Sequence, residues 1–152
     1  LVKKNLLKDS SSEKNLNIFK IYLFFIKNLI YFKEKNNLAN MLKKIKLVEI
    51  ASARSGDKND ICNVGLMAKD PKFYPILKEQ VSAELVKAHF GPLIKGAVIR
   101  YEWDAIESLN FVCHQALDGG GSRSMRMDTL GKNFSSHLLR LEIEIEEAIL
   151  KA

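Results

Sequence analysis

Residues 51–65 read ASARSGDKNDICNVG, and the fold turns on how this stretch divides. Residues 45–51, IKLVEIA, and residues 62–68, CNVGLMA, are short, apolar and partly β-branched, the pattern of half-buried or buried strands. The charged centre, Arg54-Ser55-Gly56-Asp57-Lys58, then reads as a loop that joins two sheet strands at one end. Gly56 gives this loop freedom to turn, and Asp57 is placed to pair with Arg54 or Lys58.

Outward from this stretch, Asp70-Pro71 signals a helix start and Pro75 a second one. Phe73, Ile76, Leu77, Val81, Leu85 and Val86 continue at helical spacing, Ser82 is placed to cap a separate final segment, and Gly91-Pro92 ends it. Residues 96–103, GAVIRYEW, alternate as a third strand, with Phe73, Tyr74, Tyr101 and Trp103 expected in the core. Residues 105–117 carry Ile106, Leu109, Val112, Cys113 and Leu117 at helical spacing, stopped by Gly119-Gly120-Gly121. Residues 122–128, SRSMRMD, alternate as a fourth strand. In the tail, Phe134, Leu138, Leu141, Ile145 and Ile149 form a helical stripe, although LRLEIEIE also alternates as a strand does. The sum predicts a small α+β sandwich, with helices packed on one face of a mainly antiparallel sheet.

A formal charge of +6 suggests an anionic partner only if it is spread over the folded part. It is not: residues 1–40 hold 8 lysines against 3 acids, and the rest of the chain holds 16 basic against 15 acidic residues. A nucleic-acid footprint is therefore not expected. Residues 1–40 lack Gly and Pro and consist mostly of Lys, Asn, Ile, Leu, Phe and Tyr, which AT-rich codons specify, and composition changes abruptly at Met41. This predicts translated upstream sequence over 1–40 and a folded domain over 41–152 with its natural start at Met41. Residues 18–32, IFKIYLFFIKNLIYF, are too short to span a bilayer and are interrupted by Lys20 and Lys27, so a membrane partner is not expected.

Cys62 and Cys113 each sit inside an apolar run without metal or disulfide spacing, which reads as two buried free thiols in a reducing, cytoplasmic setting. His89, His114 and His137 lack ligand spacing, so neither a metal nor another cofactor is expected. Two charged Gly-containing segments remain. Arg54 to Lys58, with Asn63 beside it, has the composition of an anion site in which turned backbone amides and cations converge; the same residues also suit a rigid ion-paired turn. Gly119, Gly120, Gly121 and then Arg126 repeat the theme, as a second wall of that site or as a helix stop followed by solvated arginines.

Taken in order, these segments resemble the AtuA-like ferredoxin-fold domain, the C-terminal module of the acyclic terpene utilisation AtuA family, which also occurs as a short separate chain. The resemblance runs from about Ile45 to Ile145. It rests on Arg54-Ser55-Gly56-Asp57-Lys58, Asn63-Val64-Gly65, Asp70-Pro71 with Tyr74, Arg100-Tyr101-Glu102 and Asn110-Phe111, followed by Gly119-Gly120-Gly121, Ser124-Met125-Arg126, Asp128 and Gly131-Lys132. Asn59 departs from the family pattern, which has Gly after Asp-Lys; Asn tolerates a left-handed backbone better than most residues. The resemblance implies a ferredoxin-like fold and a place in catabolism of acyclic terpenes or related acyl-CoA compounds. It implies either an accessory subunit that docks on an AtuA-type large domain, or a domain that binds or transforms an anion such as a carboxylate or CoA phosphate through the RSGDK and GGG segments. A second copy of the chain is a further candidate partner.

Overall fold

The computed structural model describes residues 20, 21, 23–31 and 42–151. The chain divides into two compact units, residues 1–42 and 43–152. In the first, residues 20, 21 and 23–31 are helical; the expectations for the rest of 1–40, and for a start at Met41, lie outside the described residues. No helix among the described residues is long and apolar enough to cross a membrane.

The stretch read as one strand over 45–51 is two elements. Strand β1 (Leu42–Lys46) gives way to a single helical turn, α1 (Leu47–Ile50). Leu47 and Ile50, three residues apart, thereby point together into the core, and the Lys46 amide donates to Glu49 Oε1 at 3.1 Å to close the turn. RSGDK is not a loop. It belongs to strand β2 (Ala51–Lys58), which pairs antiparallel with β3 (Ile61–Ala68) in unbroken register from Ala51 opposite Ala68 to Lys58 opposite Ile61. The turn is only Asn59-Asp60, and Asn59 adopts the left-handed conformation (φ 59°) that a two-residue hairpin requires.

The helix starts and stops lie where the sequence puts them. The Asp70 carboxylate accepts from the Lys72 amide at 3.0 Å ahead of a short 3-10 turn, Pro71–Phe73, and α2 (Tyr74–Gln80) follows. Ser82 Oγ accepts from the Leu85 amide at 3.1 Å to cap α3 (Ala83–Phe90), which Gly91 ends with a φ of 54°. Strand β4 (Val98–Trp103) is also as expected. The segment expected as a helix over 105–117 instead supplies β5 (Ser108–Cys113), with Leu109, Phe111 and Cys113 buried in alternation. The fourth strand expected in SRSMRMD does not form: the amides of Arg123 and Ser124 turn back onto Gly120 O, and Met125 and Met127 are fully exposed. The tail begins as α4 (Phe134–Leu138) but then extends as β6 (Glu142–Glu146), burying Ile143 and Ile145, before a last turn, α5 (Glu147–Lys151).

Strands β2-β3-β5-β4, in that order, form one antiparallel sheet, and β1 pairs with β6 in a second, two-stranded one. Helices α2, α3 and α4 all pack on the same face of the four-stranded sheet. There Val64, Leu66, Leu109 and Phe111 meet Leu77, Val81, Val86, Phe90, Phe134 and Leu138 in an α+β core.

Candidate functional site

Because side chains alternate along a strand, β2 sends Ala51, Ala53, Ser55 and Asp57 toward the helices and Ser52, Arg54, Gly56 and Lys58 to the opposite face. Asp57 therefore cannot hold Arg54 or Lys58 in the ion pair expected from their proximity in sequence, and no carboxylate lies within 4.0 Å of either cation among the described residues. The register carries the open face across the sheet. Arg54 lies opposite Gly65, Gly65 opposite Asn110, and Asn110 opposite Tyr101; Gly56 lies opposite Asn63.

A shallow groove of about 460 Å³ occupies the β2 side of this face and its edge, lined by Arg54, Gly56, Lys58, Asn63, Gly65 and Asn110 together with Lys132; Ser55 and Asp57 also border it. Lys132 comes from the far side of the strand. Its backbone is fixed there because Ser55 Oγ donates to Gly131 O at 2.6 Å and accepts from the Ser135 amide at 2.9 Å, while the Asp128 carboxylate accepts from the Lys132 and Asn133 amides, each at 2.8 Å. From this anchor the lysine reaches over Gly56: a Cβ placed on that glycine would stand 3.3 Å from Lys132 Nζ. Gly56 thus leaves room for a cation instead of making a turn, and Ser55 acts as a buried clamp.

The glycine segment takes a different place. Asp60 Oδ1 accepts from the Leu117 and Gly119 amides at 3.1 and 2.9 Å, and Gly120 (φ 84°) sits so close to the hairpin that a Cβ would be 2.7 Å from Asn59 O. The two glycine-containing segments do meet at one end of the sheet, but by backbone packing. Gly119 borders a separate polar notch with Asp60, Lys95, Gln115 and Asp118, and Gly121 faces Leu130. Arg126 is turned away from Arg54 and Lys58: its Nε donates to Asp118 Oδ2 at 2.7 Å and its Nη1 to Ala116 O at 2.6 Å and Leu93 O at 3.0 Å. Lys95 and then Arg126 hold the Asp118 carboxyl below its ordinary range. Arg126 therefore ties the 116–126 loop to the end of the sheet, and Lys132, quoted in the sequence only as part of a signature, fills the place among the groove cations expected for it.

The β4 side of the open face is apolar. Ile99, Tyr101 and Trp103 are 42%, 49% and 50% exposed, so Tyr101 and Trp103 are not core residues as expected, whereas Phe73 and Tyr74 are buried. The alternation Ile99/Tyr101/Trp103 was readable; which face the helices cover was not. Cys62 and Cys113 lie directly opposite one another on β3 and β5, both buried and free, with burial as the main cause pushing each thiol up to about 12. They are protonated and unreactive near neutrality. Among the described residues no group of three or more His, Cys, Asp or Glu side chains could hold a metal ion.

A family model described as the AtuA ferredoxin-like domain matches residues 45–144. No curated protein and no solved structure matches the chain.

Proposed function

Since the chain belongs to the AtuA ferredoxin-like domain family, we propose that it is an accessory module that docks on an AtuA-type large domain through the open face of its four-stranded sheet. The observation that carries this reading is the stripe Ile99, Tyr101 and Trp103, half exposed on a face that no element of residues 43–151 covers. Large aromatic side chains bury much area at little entropic cost, which is why they dominate the centres of protein interfaces. Met67 and Ile106, also about half exposed, extend the apolar surface beside Trp103. The setting that family resemblance suggests is catabolism of acyclic terpenes or related acyl-CoA compounds.

Co-expression with an AtuA-type large chain is expected to give a complex that survives gel filtration. Trp103→Ala and Tyr101→Ala should each weaken it about tenfold or more, the effect of removing a buried interface anchor, with little change in the melting temperature of the module. Separate elution of the two wild-type chains, or a complex indifferent to both substitutions, contradicts the docking face.

A further inference from the structure

We infer that the groove on the β2 side of the open face binds a phosphoryl group, held by Arg54, Lys58 and Lys132. This inference is independent of partner docking, which uses the opposite side of the same face. Its first support is a contrast among the cations. Lys78, Lys95, Arg100 and Arg126 each have a carboxylate within 2.9 Å; Arg54, Lys58 and Lys132, like several other cations among the described residues, have none within 4.0 Å, but these three line one groove. Gathering three cations with only the unpaired Asp57 at the border is unfavourable, and an anion in the groove reverses the sign of that term.

Convergence is the second support. Lys132 is brought from a distant segment by the Ser55 and Asp128 anchors, and it occupies space that any side chain at position 56 would contest. Gly65, the only other glycine of the four-stranded sheet, lies in the next row between Arg54 and Asn110. Two side-chain-free positions in adjacent rows let a ligand approach the sheet backbone. Asn63 and Asn110 flank them, and neither amide makes a side-chain hydrogen bond within the described residues, so both have donors to offer.

The number of donors selects the ligand class. A carboxylate is satisfied by the two-pronged edge of one guanidinium, whereas a phosphate dianion presents three terminal oxygens and matches an arginine fork, two point-charge lysines and neutral amide donors. Asp57, the carboxylate beside these cations in sequence, borders the groove from the helix side of β2 but pairs with none of the three within 4.0 Å, so their charges stay open to a ligand. Free phosphate and a phosphate ester share this chemistry. The row Arg54, Gly65, Asn110 crosses two strand spacings, about 10 Å, which gives the remainder of an ester a path over Gly65 without reaching the docking stripe.

The test is calorimetric titration of the full chain at low ionic strength with inorganic phosphate, with adenosine 5′-monophosphate and with acetate. Saturable binding of a phosphate species is expected, tighter than that of acetate and weakened by added salt. Lys132→Gln and Arg54→Gln should each lower the affinity about fivefold or more, as loss of a charge-assisted hydrogen bond does, while the melting temperature is unchanged. Tighter binding of the nucleotide than of phosphate identifies an ester as the ligand, and equal or weaker binding identifies the free ion. Absence of saturable phosphate binding, acetate bound as tightly, or affinities unmoved in both variants would overturn the assignment.

Discussion

Two basic residues of the same signature have opposite fates. Arg126 gives its guanidinium to Asp118 and two carbonyls, while Lys132 is held only by its backbone and leaves its charge to the groove. Partners, not residue type, separate a structural cation from a binding one. His137 shows the same dependence on surroundings. Its ring stacks on Phe90 with centroids 4.8 Å apart and lies 4.8 Å from the His89 ring, whose Nε2 is 2.9 Å from His137 O. Burial first, then the charges of His89 and Arg140, push its pKa below the ordinary imidazole value. A depressed histidine binds fewer protons when folded than when unfolded, so its contribution to stability is complete above about pH 6.5 and is lost as pH falls through that range. The melting temperature is accordingly expected to drop between about pH 7.5 and 5.5, and His137→Asn should flatten the slope. An identical pH profile in the variant would assign the loss to other groups.

At the scale of elements, the β2–β3 hairpin organises both the groove and the loop beyond it. Gly120 is the contact that joins them, since its φ of 84° is one that L side chains rarely adopt and its missing Cβ would meet the Asn59 carbonyl at 2.7 Å. Gly120→Ala is therefore expected to cost about 2–4 kcal/mol in urea denaturation, from combined backbone strain and overpacking. A loss below about 0.5 kcal/mol would mean that the loop shifts freely away from the hairpin. Helix boundaries were legible because Asp70, Pro71, Ser82 and Gly91 act through local hydrogen bonds and φ preferences. The strands were not equally legible. The inward face of β2 is Ala51, Ala53, Ser55 and Asp57, too small and polar to stand out as apolar alternation, so an eight-residue strand resembled a loop. In β5, Leu109 and Phe111 alternate as a strand while Leu109, Val112 and Cys113 fit a helix equally well. Pairing with β3 and β4 settles the choice, and pairing is not a local property. The groove was partly visible as RSGDK, but Lys132 and Asn110 reach it only through the register and the Ser55 anchor.

Over the whole molecule, the buried core and most of the net charge lie in different parts of the chain. All buried apolar residues among those described lie from Ile45 to Ile145, the family match covers 45–144, and the compact unit begins at Lys43. Most of the net charge, eight lysines against three acids, lies in residues 1–40. Burial of apolar area is the main term opposing chain entropy, so the residues that supply the core should also set stability. A chain starting at Met41 is expected to unfold in one cooperative transition with a midpoint within about 2 °C of the full chain, a shift that corresponds to well under 1 kcal/mol for a domain of this size. It should also retain phosphate binding, since Arg54, Lys58 and Lys132 all remain. A lowered midpoint or a broadened transition would show that residues 1–40 contribute to the fold. An unchanged transition with lost binding would show instead that the anion is held by the lysines of the first forty residues, and that the open face serves partner docking alone.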